Sequence, residues 1–126
     1  MSEEALQVIA IEESGAAIKD AKINLTGINN VEFIESKTEQ GILNLSFNPD
    51  AVILDPPRYG CHIEVLKSIL IKLPKRVVYV SCDPNTLARD LSFLVKGGYA
   101  IIDVQPIDMF PQTHHIECVV TLEPDK

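Results

Sequence analysis

The chain has 126 residues, 46% hydrophobic and 23% charged, which fits one globular domain and excludes low-complexity disorder, collagen and coiled coil. Its formal charge of −7 argues against capture of nucleic acid by net charge alone. No apolar run reaches the roughly 18–20 residues of a membrane span, and the opening MSEEALQVIA carries glutamates where a secretion signal needs bases.

LQVIAIE (6–12) is predicted as a buried strand, a short apolar run followed by polar residues. Ser14 can cap a helix whose inner face is Ile18, Ala21 and Leu25, with Gly27 as its stop. VEFIES (31–36) is a second strand, and a weak helix is expected around 38–47. AVIL (51–54) is fully apolar and is expected to be a central strand. Ile63, Leu66, Leu70 and Leu73 fall at helical spacing, and Pro74 ends that helix. RVVYVS (76–81) is a fourth strand. Asp83 and Pro84 then start a helix as N-cap and first-turn residue; Leu87, Leu91 and Leu94 point inward, and Gly97-Gly98 stops it. AIIDV (100–104) and HIECVVTL (115–122) close the chain as a strand pair with no helix between them, hence antiparallel. The alternation gives an α/β domain with a largely parallel sheet, one domain over 1–126.

Charge is uneven along this order. Residues 1–40 hold eight acids and three bases, whereas 58–76 hold Arg58, Lys67, Lys72, Lys75 and Arg76 against Glu64. A solvated helix face explains the basic segment, and so does a strip beside a nucleic-acid site.

Ligands of open α/β sheets bind at the carboxyl ends of strands. Those ends deliver Glu12-Glu13, Asp55-Pro56-Pro57-Arg58 and Ser81-Cys82-Asp83-Pro84. Cys82 lies at the start of the 84–96 helix, whose dipole favours a thiolate, while Asp83 opposes that effect. It reads as a reactive thiol or as a small buried filler; Cys61 and Cys118 read more strongly as filler. Three cysteines with no C-x-x-C give neither a disulfide framework nor a zinc cluster, so a reducing cytoplasm is the expected address. Asp55 precedes two prolines that fix a rigid turn able to aim a carboxylate, or it merely ends a strand. Glu12 is either a ribose-binding acid or a surface glutamate. His114, His115 and Glu117 form a histidine–acid cluster in which His115 and Glu117 would share one strand face, but no third ligand is evident, so no metal site is expected. Glu117 sits in an otherwise apolar strand, where burial would raise its pKa and suit it to proton transfer. A serine triad is not indicated, because no G-x-S-x-G exists.

Three motifs in this order resemble one family: D-P-P-R-x-G (55–60), V-S-C-D-P-N-T-L-A-R-D (80–90) and P-x-D-M-F-P-Q-T-x-H-I-E (106–117). They are similar to the carboxyl-terminal half of the S-adenosylmethionine-dependent RNA uracil-C5 methyltransferases, which modify uridine in ribosomal and transfer RNA. The likeness runs from about residue 6 to residue 123. It implies a partial class I (Rossmann-like) methyltransferase fold with an antiparallel final strand, lacking the first strand and its glycine-rich loop. It implies S-adenosyl-L-methionine as cofactor and RNA as substrate of a longer parent. Cys82 matches the nucleophile that adds to uracil C6, and Glu117 matches the base that removes the C5 proton. Glu12 matches the acid that holds the cofactor ribose, Asp55 lies at the cofactor and substrate, and Arg58 belongs to the same motif on the substrate side.

The chain also departs from the family. No G-x-G stands at the cofactor loop, and Lys37 occupies a position where Asp or Asn is usual. Two other functions therefore stand beside uracil methylation: a non-catalytic interaction module of the same fold, and a methyltransferase acting on an exocyclic amine. The family's strand order, 3-2-1-4-5-7-6, leaves 6–12 and 51–54 without the strand between them. They are expected either to close on each other or to be completed by another chain, including a second copy; direct closure is preferred.

Overall fold

A computed structural model describes residues 6–107 and 117–125. The chain forms two compact units, one ending at Leu45 and the other beginning at Ser46.

In the first unit β1 (Val8–Glu12) pairs in parallel with β2 (Val31–Glu35), from Val8 opposite Val31 to Glu12 opposite Glu35. Between them α1 (Gly15–Asn24) begins as the sequence predicts, with the Ser14 hydroxyl accepting the Ala17 N–H at 3.2 Å and Ile18 buried. The second helix, α2 (Thr38–Leu43), is shorter than the expected 38–47. It lies close on β1 because its residue 41 is glycine: a Cβ there would meet the Ile11 side chain at 2.7 Å.

The second unit carries β3 (Ala51–Leu54), α3 (Ile63–Lys72), β4 (Arg76–Ser81), α4 (Pro84–Lys96), β5 (Tyr99–Ile107) and β6 (Glu117–Pro124). Its sheet has the order β3-β4-β6-β5. The β3–β4 pair is parallel and β6 runs antiparallel to both β4 and β5, so only the final strand is reversed, as expected. Alternation along β4 buries Val77, Tyr79 and Ser81 on one face, and β6 buries Val120 and Leu122. Each fully buried aliphatic side chain of this kind stabilises by about 1.5–3 kcal/mol. The Tyr99 hydroxyl donates to the Pro74 carbonyl at 2.7 Å, which ties the start of β5 to the α3–β4 turn.

Three expectations are corrected. Strand β3 is an edge of its sheet, not a central strand, and its Ile53 is 45% exposed. The strand 51–54 does not close on 6–12 either: β1 and β3 belong to separate sheets. Finally, α3 buries Val65, Leu66, Ser68 and Ile69, while Ile63 and Leu73 are 44% and 56% exposed. Apolar residues ring this helix, so spacing alone does not select the inward stripe. Ser68 tolerates burial because its hydroxyl donates to the Val65 carbonyl at 2.6 Å. Pro74 disfavours a right-handed Leu73, and that residue ends the helix at φ 48°.

Candidate active site

The carboxyl end of β4 is built by a short loop of hydrogen bonds around Cys82. The buried Ser81 hydroxyl donates to the Asp83 carbonyl at 2.9 Å and accepts the Asp83 N–H at 3.1 Å. Asp83 then caps α4, its Oδ1 accepting from Asn85 N–H at 2.8 Å and Thr86 N–H at 3.4 Å. Cys82 is thus the half-buried residue at the turn, a free thiol directly before a thirteen-residue helix.

The β4–β6 ladder ends with Ser81 opposite Cys118. Cys82 follows that last pair on one chain segment, and Glu117, the first residue of β6, precedes it on the other. Glu117 is half-buried rather than enclosed by the strand's apolar neighbours. On the other side of β4, β3 ends at Leu54 opposite Tyr79, so the exposed Asp55 leaves the sheet at the same edge. Thiol, carboxylate and rigid Asp-Pro-Pro-Arg turn therefore lie at the edge where β3 and β4 end and the antiparallel β6 begins. Arg58 is exposed on that turn. In the other unit, Glu12 ends β1 and its Oε1 accepts the Ser14 N–H at 3.1 Å, while Lys37 precedes α2 as an N-cap with no side-chain capping bond. His114 and His115 lie outside the described residues. Among the described residues no three His, Cys, Asp or Glu side chains group as metal ligands.

Beneath this edge is a polar cluster that sequence reasoning missed. Asp90 is 1% exposed, and its carboxylate accepts from the Tyr79 hydroxyl, from the Cys61 N–H at 2.8 Å and from Arg89 Nε at 3.0 Å. The Arg89 guanidinium also donates to the Tyr59 carbonyl at 2.8 Å, and the Thr86 hydroxyl to the Arg58 carbonyl at 2.9 Å. Gly60 sits at φ +84°, and a Cβ there would meet Asp90 Oδ2 at 2.7 Å. The glycine of D-P-P-R-x-G is required by both its conformation and this approach. A signal was present: Leu87, Asp90 and Leu94 form one inward stripe on α4, and an acid on such a stripe asks for buried donors.

Two groups in this cluster hold their protons tightly. Burial and then the Asp90 charge push the Cys61 thiol from 9.0 up to about 12. Burial and then its hydrogen bond to Asp90 raise the Tyr79 phenol above the usual tyrosine range. The unfolded chain releases these protons at lower pH than the folded one, so their contribution to stability falls as pH rises, from 9 towards 12 for Cys61 and from 10 upward for Tyr79. Urea unfolding under reducing conditions should show stability falling across the Cys61 window by roughly 1.4 kcal/mol per pH unit at most for that thiol. Cys61→Ala should make the decline shallower; an unchanged slope would remove Cys61 as a contributor.

Comparison with known proteins places this geometry. A family described as tRNA (Uracil-5-)-methyltransferase matches residues 1–125. An RNA methyltransferase of Oceanobacillus iheyensis, itself uncharacterised, is 45% identical over 97% of this chain and 28% of its own length. One of Thermotoga maritima is 48% identical over 94% of this chain and 27% of its own. The chain therefore spans little more than a quarter of these relatives. Among solved structures, the Pyrococcus abyssi tRNA (uracil-54, C5)-methyltransferase in complex with S-adenosyl-L-homocysteine superposes with TM-score 0.83 at 32% identity, over 96% of this chain and 30% of that one. An rRNA methylase of Streptococcus thermophilus shares the fold at TM-score 0.77 and 17% identity, over 99% of this chain and 77% of that one. The α/β architecture, with sheets β1-β2 and β3-β4-β6-β5, is consistent with a partial class I (Rossmann-like) methyltransferase fold. The family suggested by the three motifs is the one found, and this chain belongs to the tRNA (uracil-5-)-methyltransferase family.

Proposed function

We propose that these residues are the carboxyl-terminal portion of an RNA methyltransferase that transfers a methyl group from S-adenosyl-L-methionine to C5 of uridine in ribosomal or transfer RNA, in the cytoplasm. The observation that supports the reading is that a free thiol, Cys82, follows β4 and a carboxylate, Glu117, begins β6, on either side of the last β4–β6 pair, Ser81 and Cys118. Uracil C5 is too weak a nucleophile to be methylated unaided. The Cys82 thiolate adds to C6, pushing electrons to C5 and the adjoining carbonyl, so that C5 becomes nucleophilic. After C5 has taken the methyl group, Glu117 accepts the C5 proton, the C6–S bond breaks and the Cys82 thiolate leaves. Arg58, on the substrate side of the Asp55 turn, meets the anionic RNA.

The residues present fit the cofactor. Its ribose diol and ammonium are hydrogen-bond donors, and Glu12 and Asp55 are exposed acceptors at the carboxyl ends of β1 and β3. When bound, S-adenosyl-L-methionine supplies an electrophilic methyl group. Glu12 would accept its ribose hydroxyls, and Asp55 would supply a second acceptor for it.

RNA carrying 5-fluorouridine tests the reading, because fluorine replaces the C5 proton that the base must remove. The full-length enzyme should form a cofactor-dependent RNA complex that survives denaturant. Methyl transfer without any trapped complex would indicate an exocyclic amine as acceptor, which needs no thiol. Absence of cofactor binding by calorimetry, with tight association to another protein, would indicate an interaction module. Glu117→Gln should still form the thiol adduct on uridine RNA but release methylated product about a hundredfold more slowly, the scale of a lost general base. Normal release would assign the base elsewhere. β1 and β3 each pair on one side only within their own sheets, so association of two copies through those edges is open to measurement by ultracentrifugation.

A further inference from the structure

One turn of α4 holds three successive stations of the 58–61 loop. Thr86 donates to the carbonyl of Arg58, Arg89 to the carbonyl of Tyr59, and Asp90 accepts the N–H of Cys61. Gly60 lies between them with no room for a Cβ. All the loop groups bound are backbone groups, so the contacts fix the path of the chain and not the identity of a side chain. The helix that makes them begins two residues after Cys82.

We propose that Thr86, Arg89 and Asp90 are positioning residues for methyl transfer, locking the Asp55–Arg58 turn to the helix that follows Cys82. The proposal rests on the uracil reading above. It adds that the turn and the thiol are held in mutual register by these three side chains, none of which needs to touch the uracil. A thiol and a substrate-side turn must meet one uracil ring together. A misplacement on the order of 1 Å between such groups can cost about a hundredfold in rate.

Asp90 is too deeply buried to be the first variant tested, so Thr86 and Arg89 carry the experiment. In the full-length enzyme, the rate of covalent capture of 5-fluorouridine RNA is measured with RNA and cofactor both saturating. RNA dissociation constants and thermal midpoints are measured on the same variants. Thr86→Val keeps the shape and removes the donor; it should slow capture about ten- to a hundredfold while RNA affinity and thermal midpoint stay near wild type. Thr86→Ser should restore capture, and Arg89→Gln should slow it as Thr86→Val does. Capture at the wild-type rate by Thr86→Val and Arg89→Gln would overturn the clamp while leaving the uracil reading intact. Weakened RNA affinity with an unchanged saturated rate would also overturn it, because the residues would then hold RNA. Loss of capture only in proportion to unfolded protein would reduce them to structural residues. If the wild-type enzyme captures nothing, the uracil reading itself falls and the clamp falls with it.

Discussion

Cys82→Ala is expected to abolish covalent capture of 5-fluorouridine RNA by the full-length enzyme and to lower methylation by about 10⁴-fold or more, the scale on which deleting a covalent nucleophile acts. Cys61→Ala and Cys118→Ala are expected to retain capture. The three thiols differ in setting. Cys82 stands half-buried at a turn that Ser81 and Asp83 shape around it, directly before a helix. Cys61 is buried beside the Asp90 carboxylate and holds its proton to about pH 12. At neutral pH it stays a thiol, which is a poor nucleophile. Cys118 lies within the ladder, opposite Ser81. Gel shift under denaturing conditions reads all three variants, and capture by Cys82→Ala at the wild-type level would exclude it as the nucleophile.

The largest stability effect is expected at Asp90. Asp90→Ala strands two buried donors, the Tyr79 hydroxyl and the Cys61 N–H, and releases Arg89 from its carboxylate. Each stranded donor costs about 1–3 kcal/mol, so the total should reach about 3–5 kcal/mol. That is a large share of the roughly 5–15 kcal/mol available to a domain of this kind. Tyr79→Phe removes one of the stranded donors in advance. The double variant should therefore lose less than the sum of the two singles, measured by urea unfolding. Additive losses, or an Asp90→Ala cost below about 1 kcal/mol, would show that the cluster does not act as a unit.

The sequence made strands and caps legible because their signals are local. RVVYVS became β4 residue for residue, and Ser14 and Asp83 cap their helices as predicted. The edge that gathers Asp55, Cys82 and Glu117 was legible too, since strand ends and the three motifs both point to it. What stayed hidden depends on partners distant in sequence. The α3 stripe is chosen by what packs on it, and six apolar residues around one helix leave that choice open. Asp90 could be seen as an acid at an inward position, but not that Tyr79 and the Cys61 amide would meet it. β3 has the apolar run of a central strand while standing at an edge, because residue type reports an environment and not a count of neighbours.

β6 is the latest strand of its unit in sequence, yet it stands between β4 and β5. A nascent chain that has made β5 but not β6 cannot let β4 and β5 close on each other without losing the slot. It must wait with two facing edges of unsatisfied N–H and C=O groups. Cys82, just beyond the end of β4, is then already synthesised, whereas Glu117 is not. The β4–β6 ladder joins residues some forty positions apart, a loop that closes slowly. Until β6 is made, those two edges are the association-prone part of the sheet.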